Sequence, residues 1–479
     1  MPSIAQPPQS PLLPRITKFT NCRIPHNGQL VEQDLWVDSS SGKILQDQQA
    51  FYEFQLCPDQ TVDLGGRVLA PGFIDVQLNG ARGFDFSVPQ PTKQEYDAGF
   101  RKVNQALVRT GVTSYLPTVT SQESWVYKQV LPSLGPSGGP RRAEDGAESL
   151  GAHVEGPFLS PGKNGIHSHR VLIAANTGFQ DLIDCYGAEN LLIPQNTSSP
   201  STSPASPASP TPTTTTTNPS PNIKMITAAP EVGVMNSLIP TLTSLNIIYS
   251  IGHSDATYEQ ALDALAAGAT MITHLFNAMR PFYHRHPGIF GLLGQQTQQT
   301  KRPFYGLIAD GIHLHPTSIQ IAYHAHPEGM VLVTDAMKLC GMPDGVYEWT
   351  NGERIVKKGA LLTLEGSVVD GGGKAGAGAN NGAGEIEGKI AGSSATLIEC
   401  VNNFRRWAGT GVVEAVRAVT ETPARMLGLE GVKGVLAPGA DADLVVLGED
   451  AEGTLTVDQV WKFGVRVFDR EKDVEWEWL

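Results

Sequence analysis

The chain is poor in cysteine, with 5 in 479 residues, and Cys22, Cys57, Cys185, Cys340 and Cys400 stand far apart with no CxxC pair. That spacing argues against a disulfide framework and against thiolate metal motifs, and it predicts a reducing compartment. Long hydrophobic runs are missing as well: no stretch of about 18 apolar residues suggests a membrane span. The N-terminus, rich in Pro and Gln, has no apolar core of a secretion signal. Positive charge is in deficit, since 35 Lys and Arg against 48 Asp and Glu leave a formal net charge of −13. Such a surface repels phosphate backbones and anionic headgroups, so neither nucleic acid nor membrane is expected as a general partner. An anionic substrate would need a local basic pocket. A cytoplasmic globular enzyme is the class left standing.

What is present is a long alternation of strand-like and helical stretches. Residues 1–14 read as a flexible tail. From 15 to 69 the pattern is short strands with turn signals: Ile16 to Ile24, Asp34 to Val37, Lys43 to Leu45 and Gly66 to Leu69. Residues 436–479 return to the same pattern in Asp443 to Leu447 and Val457 to Phe468, and the two ends are expected to form one small β-sandwich module. Between them, over 70–435, eight apolar runs alternate with helices: Phe73 to Val76, Thr113 to Pro117, Gly151 to Val154, Lys224 to Ala228, Asn246 to Ile251, Ala269 to Thr273, Tyr305 to Ala309 and Met330 to Thr334. Eight short βα repeats predict a (β/α)8 barrel of the TIM type, whose chemistry sits just past the C-terminal strand ends. The segments 196–222, almost wholly Ser, Thr, Pro and Ala, and 371–388, rich in Gly, Ala and Asn, cannot bury a core and read as surface insertions. Pro132 to Gly146 reads as a weaker loop.

The stretch from Ser250 to Met279 organises the rest. It reads as strand, helix, strand, with Ser254 or Asp255 as helix cap, Ala261, Leu262, Leu265 and Ala266 as the apolar face, and Gly268 as the stop. His253 and His274 close the two strands. Parallel neighbours joined by a crossover end on the same sheet edge, so the two imidazoles are expected to meet. Each alone reads more readily as an ordinary polar loop residue; the pairing favours a metal. Glu155, ending the third run in His153-Val154-Glu155, completes a Glu, His, His set, and three protein donors with one open position is the composition of a catalytic zinc site. A structural ion pair is the plainer role for Glu155. Asp335, after the eighth run, could take a proton from an activated water and hand it to a leaving amine, or could simply cap a helix.

After the first run comes Pro71-Gly72-Phe73-Ile74-Asp75-Val76-Gln77-Leu78-Asn79, which resembles the PGxIDxHxH signature of the amidohydrolase superfamily with Gln77 and Asn79 in place of both histidines. Neutral amides are poor zinc ligands, so a second metal is not expected. The series APGFIDVQLNG, HVEGPF, GIH at Gly165 to His167, GHSDAT, THLFNAM, RHPG at Arg285 to Gly288, ADGIH at Ala309 to His313, LVTDAM and AGSSATL resembles the N-acetylglucosamine-6-phosphate deacetylase family, in order and over nearly the whole chain. The resemblance implies Glu155, His253 and His274 as ligands of one divalent ion, most simply zinc, and Asp335 as the catalytic acid/base. It implies His167 near the substrate acetamide, Asn277 and Ala278 on the sugar phosphate, Arg285 and His313 on the phosphate, and Ile390, Ala391 and Gly392 in a loop closing on the sugar. Arg suits bidentate phosphate contacts, although Arg285 alone could equally be a solvated surface charge. The implied reaction is hydrolysis of a small sugar-phosphate amide in amino-sugar catabolism, by a homodimer. Another cyclic-amide or dipeptide hydrolase of the superfamily, or an inactive scaffold of the same fold, is the alternative.

Overall fold

In the computed structural model, residues 15–137, 141–192, 220–294, 301–349, 353–366 and 390–473 are described. The tail 1–14, residues 196–219 of the first insertion and the whole of 371–388 lie outside them.

Eight parallel strands form the barrel wall, and each falls on one of the eight apolar runs: β1 (Phe73–Leu78), β2 (Val112–Val119), β3 (Ala152–Glu155), β4 (Ile223–Ala228), β5 (Ile248–Ile251), β6 (Met271–Ile272), β7 (Phe304–Ile308) and β8 (Met330–Val333). They pair in sequence order from β1 to β8. A parallel bridge between Leu78 and Ala336, with the Asp335 N–H donating to the Gln77 carbonyl at 2.9 Å, brings β8 back to β1. Strands buried on both faces are mostly apolar, which is why they read as near-continuous runs rather than alternating ones. Ile74, Val76, Leu116, Met225, Met271, Ile308, Val331 and Val333 fill the interior, and Ala424, Met426 and Leu427 join them. The outer shell of helices packs on the other strand faces through Phe73, Tyr115, Ile226, Tyr249, Leu307 and Leu332.

Both chain ends contribute to one six-stranded sheet, in which Leu444–Glu449 pairs antiparallel with Val68–Pro71 while Val68–Pro71 runs beside Arg23–His26. A four-stranded sheet of Ile16–Thr20, Leu35–Asp38, Lys43–Leu45 and Gln60–Asp63 lies in the same N-terminal region, and Phe19, Val37, Leu69, Leu444 and Trp461 share one core between the sheets. Val68–Pro71 leads directly into β1, so this module meets the barrel at the N-terminal ends of its strands.

Several local expectations are corrected. Ile16 to Ile24 is two strands in different sheets, because Asn21 takes a left-handed turn at φ 51°. The helix of the central stretch runs Tyr258–Ala267 and is capped by Thr257, whose side chain accepts from the Gln260 N–H in a capping box. Ser254 and Asp255 are not caps: the Ser254 hydroxyl and the Asp255 N–H both donate to Glu231, at 2.7 and 2.6 Å. The buried face of that helix is Ala261, Ala264 and Leu265, with Ala266 exposed, while Gly268 ends it at φ 119° as expected. A helix, Ser124–Leu134, runs through Pro132 where a loop was expected, since Val130, Leu131 and Leu134 are buried and hold its last turn. Among the described residues no helix is long and apolar enough to cross a membrane.

Candidate active site

The four groups read as metal ligands and proton carrier lie together at the C-terminal rim. Glu155 ends β3 and is 3% exposed; His253 and His274 are 4% and 3% exposed, just past β5 and β6. Their donor atoms form a tight triangle: His253 Nε2 to Glu155 Oε1 is 3.2 Å, His274 Nε2 to the same oxygen 3.0 Å, and the two Nε2 atoms are 3.0 Å apart. His253, His274 and Asp335 all take left-handed backbone at φ 48°, 24° and 47°. Non-glycine residues seldom do this, and holding three of them there is strain kept at a working site. Just before His253 there is no room for a side chain: a Cβ on Gly252 would stand 2.7 Å from both Thr227 Cγ2 and Thr273 Cβ.

The fit to a cation follows from where the protons are. His253 Nδ1 donates to the Lys163 carbonyl at 2.8 Å, which leaves its Nε2 as a bare lone pair. That lone pair faces the Glu155 carboxylate and the second imidazole. Two acceptor atoms this close, with His274 Nε2 3.0 Å from each, repel unless a proton or a cation lies among them. Donors bound at 2.0–2.2 Å around a zinc-like ion stand roughly 3.3 Å apart, close to the triangle observed. Burial would raise the Glu155 carboxyl, yet the contacts with His253 and His274 hold it well below its usual range. For His274, burial lowers the imidazole, and the contacts with Glu155 more than reverse it.

Glu155, His167 and His253 also present atoms close enough for a shared ion. The proton on His167 argues for a different role. Its Nδ1 accepts from the Ser121 N–H at 3.1 Å, and burial, then the neighbouring His253, pushes its pKa down to about 3. The neutral ring therefore carries its hydrogen on Nε2, 4.0 Å from Glu155 Oε2. It is a donor beside the ligand triangle rather than a lone pair offered to an ion. The loop that presents it also seats His253: Gly165, at φ 58°, lies so close that a Cβ would be 3.1 Å from His253 Cε1.

Below the rim, His153 Nε2 meets Thr227 Oγ1 at 2.7 Å, and Thr227, Thr273 and Ser250 continue the chain at 2.6 and 2.5 Å. Burial pushes His153 to about 4, so this layer is neutral. Asp335 differs: burial and then the Glu155 charge push its carboxyl up to about 6. A group poised near neutrality between ionised and protonated is suited to carry a proton both ways.

Gln77 and Asn79 hold the site's two carboxylates. Gln77 Nε2 donates to Glu155 Oε1 at 3.0 Å, and Asn79 Nδ2 donates to Asp335 Oδ1 at 2.8 Å. Sequence reading registered these amides only as missing ligands. It also missed Asp75, whose Oδ2 accepts from Thr334 at 2.6 Å beside Asp335, and Asp310, whose Oδ2 accepts from His313 Nδ1 at 2.7 Å. The DxxH spacing of Asp310 and His313 was the available signal for the last pair.

The remaining expected residues are placed less centrally. Asn277 donates to the His274 carbonyl at 3.3 Å, and the Ala278 carbonyl accepts from the Ser254 N–H at 3.2 Å. Ile390, Ala391 and Gly392 lie on the strand Ile390–Ser393, joined to the rim by an Ala336–Ser393 bridge. His313 adds its charge to the surroundings of Asp335 and His274. Arg285 sits in an exposed turn closed by a Tyr283–His286 bridge, and among the described residues no hydrogen bond or ion pair ties it to the ligand triangle.

An eight-stranded barrel with a carboxylate and two imidazoles converging at its C-terminal rim, and an acid of raised pKa beside them, defines a metal-dependent hydrolase. The amidohydrolase family matches residues 68–467. Human N-acetylglucosamine-6-phosphate deacetylase is 40% identical over 436 residues, 90% of this chain and 92% of its own. The rat enzyme of the same name is 39% identical over 468 residues, 97% and 98% of the two chains. A crystal structure of N-acetylglucosamine-6-phosphate deacetylase from Pasteurella multocida shares the fold at a TM-score of 0.69, with 23% identity over 94% of this chain and 99% of its own. The chain belongs to the amidohydrolase family and, within it, to the N-acetylglucosamine-6-phosphate deacetylases.

Proposed function

We infer that this chain hydrolyses the acetamide of N-acetyl-D-glucosamine 6-phosphate to D-glucosamine 6-phosphate and acetate, as the names of its relatives state for them. The observation that carries the reading is the triangle of Glu155, His253 and His274 with a poised Asp335 at the same rim. One zinc ion per chain is the cofactor these donors suit, and when bound it supplies a Lewis acid that polarises the amide carbonyl and acidifies a water. His167 Nε2–H holds the acetamide oxygen in place. Asp335 accepts a proton as the water oxygen bonds to the carbonyl carbon, then delivers it to nitrogen as the C–N bond breaks. The products are acetate and the free amine, with one proton carried through one carboxyl group.

In the same reading Asn277 and Ala278 contact the sugar phosphate, and Ile390, Ala391 and Gly392 close on the sugar. Arg285 and His313 take the phosphate. Phe282 and Tyr283, 55% and 60% exposed beside Arg285, form an apolar and basic patch that a second copy would cover, which supports a homodimer. Five free cysteines, four of them buried, support a reducing cytoplasm. Residues 15–69 and 436–473 form one module on the barrel, while 371–388 and most of 196–222 lie outside the described residues. The test is to incubate the purified protein with N-acetyl-D-glucosamine 6-phosphate, follow acetate and free amine, and measure metal on the same sample. One acetate per amine, with activity abolished by chelation and restored by zinc, is the expected result. A protein that releases no acetate from this substrate, with its metal fully loaded, would overturn it.

A further inference from the structure

We propose that Asn79 is a positioning residue for the proton carrier: its amide fixes which oxygen of Asp335 meets the reactants. The inference deepens the assignment of Asp335 as acid/base and rests on it.

Asn79 follows the end of β1, is 3% exposed, and faces Asp335 across the seam where the barrel closes. Its Nδ2 lies 2.8 Å from Asp335 Oδ1 and 3.4 Å from the Asp335 carbonyl. An ionised carboxylate only accepts, so the NH2 end of the amide must be the end turned toward it. The backbone joins in: the Asn79 N–H donates to the Ala336 carbonyl at 2.9 Å, and the Asp335 N–H donates to the Gln77 carbonyl at 2.9 Å. The two residues are thereby clamped to each other by main chain and side chain together.

This clamp has a chemical consequence. With Oδ1 already accepting from Asn79, a proton taken up by Asp335 goes to Oδ2, and the Asn79 bond survives in both protonation states. The carboxyl need not rotate between taking the proton and returning it. At the same time Asn79 Oδ1 is buried and has no hydrogen-bond partner among the described residues. Asp335 is thus the one side-chain hydrogen-bond partner of this amide among the described residues. Gln77, two residues earlier on the same strand, does the parallel work for the metal side by donating to Glu155. The pair of amides thus has a purpose beyond replacing imidazoles: each orients one carboxylate.

The experiment uses the full-length, zinc-loaded enzyme and three variants: Asn79→Leu, close in shape but without polar atoms, Asn79→Ala as a smaller replacement should Leu disturb folding, and Asp335→Asn. For Asn79→Leu the expected result is a fall in kcat of about 10–10²-fold, in line with a misoriented catalytic group, with KM and bound zinc near wild type. Adding Asn79→Leu to Asp335→Asn should cause little further loss, because a residue acting through Asp335 has nothing left to position. Unchanged kcat in both Asn79 variants while Asp335→Asn is inactive would overturn the role of Asn79 alone. Losses that simply multiply in the double variant, or a loss of zinc, would do the same. An Asp335→Asn enzyme with wild-type turnover would instead remove the acid/base assignment, and the Asn79 inference with it.

Discussion

Charge is buried at both ends of this barrel, and the two ends handle it in opposite ways. At the N-terminal end, where the barrel meets the β-module, Glu148, Asp441 and Asp443 are matched by cations. Lys462 Nζ reaches Glu148 at 2.9 Å and Asp443 at 2.7 Å, Lys433 Nζ reaches Asp443 at 2.7 Å and Asp441 at 2.9 Å, and Arg141 bridges Glu148 and Asp441 at 3.0 and 2.5 Å. The Phe463 ring lies under Lys462 and Arg141 at 4.0 and 4.3 Å. At the C-terminal rim, Glu155 and Asp335 are surrounded by imidazoles and amides instead. The first end supplies its own cations and is complete. In the function proposed above, the second takes its positive charge from outside, as an ion and as a proton in transit.

If that contrast is right, the two ends should fail differently. The largest effect belongs to the rim: Asp335→Asn keeps the shape and loses the proton, so turnover should fall roughly 10²–10⁴-fold while zinc remains. His253→Ala should lose most of the metal with little change in secondary structure, since the barrel interior does not involve it; metal analysis and circular dichroism read the two outcomes separately. At the other end, Lys462→Met leaves Glu148 and Asp443 buried with fewer partners. A stability loss of about 3–5 kcal/mol is expected in urea unfolding, with kcat of the folded fraction close to wild type. A kcat change as large as the stability change would mean the two ends are not independent.

Acid sharpens the comparison further. Burial would raise the Glu148 carboxyl, but Lys433, Lys462 and Arg141 bring it from an ordinary 4.5 down to about 2 in the folded chain. A depressed folded value stabilises fully above the unfolded one. That stabilisation is lost progressively as pH falls from about 4.5 toward 2. Asp335 has the opposite shift, up to about 6, so turnover, which needs its ionised form, should decline at or below that pH, the bound ion pulling the limb lower. Between pH 6 and 4.5 the enzyme should therefore lose activity before it loses stability, which parallel rate and unfolding measurements would reveal. The smallest effect is expected from residues 197–219: their composition has nothing to pack, and a short Gly/Ser replacement should leave rate and melting temperature unchanged.

How much of this was legible in the sequence follows the same division. All eight barrel strands announced themselves, because a strand buried on both faces is mostly apolar and each is bounded by turns and helices. The rim residues were legible because the strand ends place them: once β3, β5, β6 and β8 are marked, Glu155, His253, His274 and Asp335 are the polar groups that follow. The partners of these groups were not. Gln77 and Asn79 looked like losses until their donors were seen on Glu155 and Asp335. Ser254 looked like a cap because nothing local reveals that Glu231 takes its hydroxyl. The cation cluster was invisible for the plainest reason, since Lys462 and Glu148 are 314 residues apart and only the closed fold brings them together.

The central claim is that this rim holds one ion, with amides where a second would need imidazoles. Stripping the protein of metal and titrating zinc back while following deacetylation of N-acetyl-D-glucosamine 6-phosphate tests it directly. Activity should rise in proportion to zinc and stop at about one equivalent per chain, the number that a single three-donor site accommodates. A rise that continues to two equivalents would contradict the account, because Gln77 and Asn79 would then have to serve as ligands rather than as the donors that hold Glu155 and Asp335.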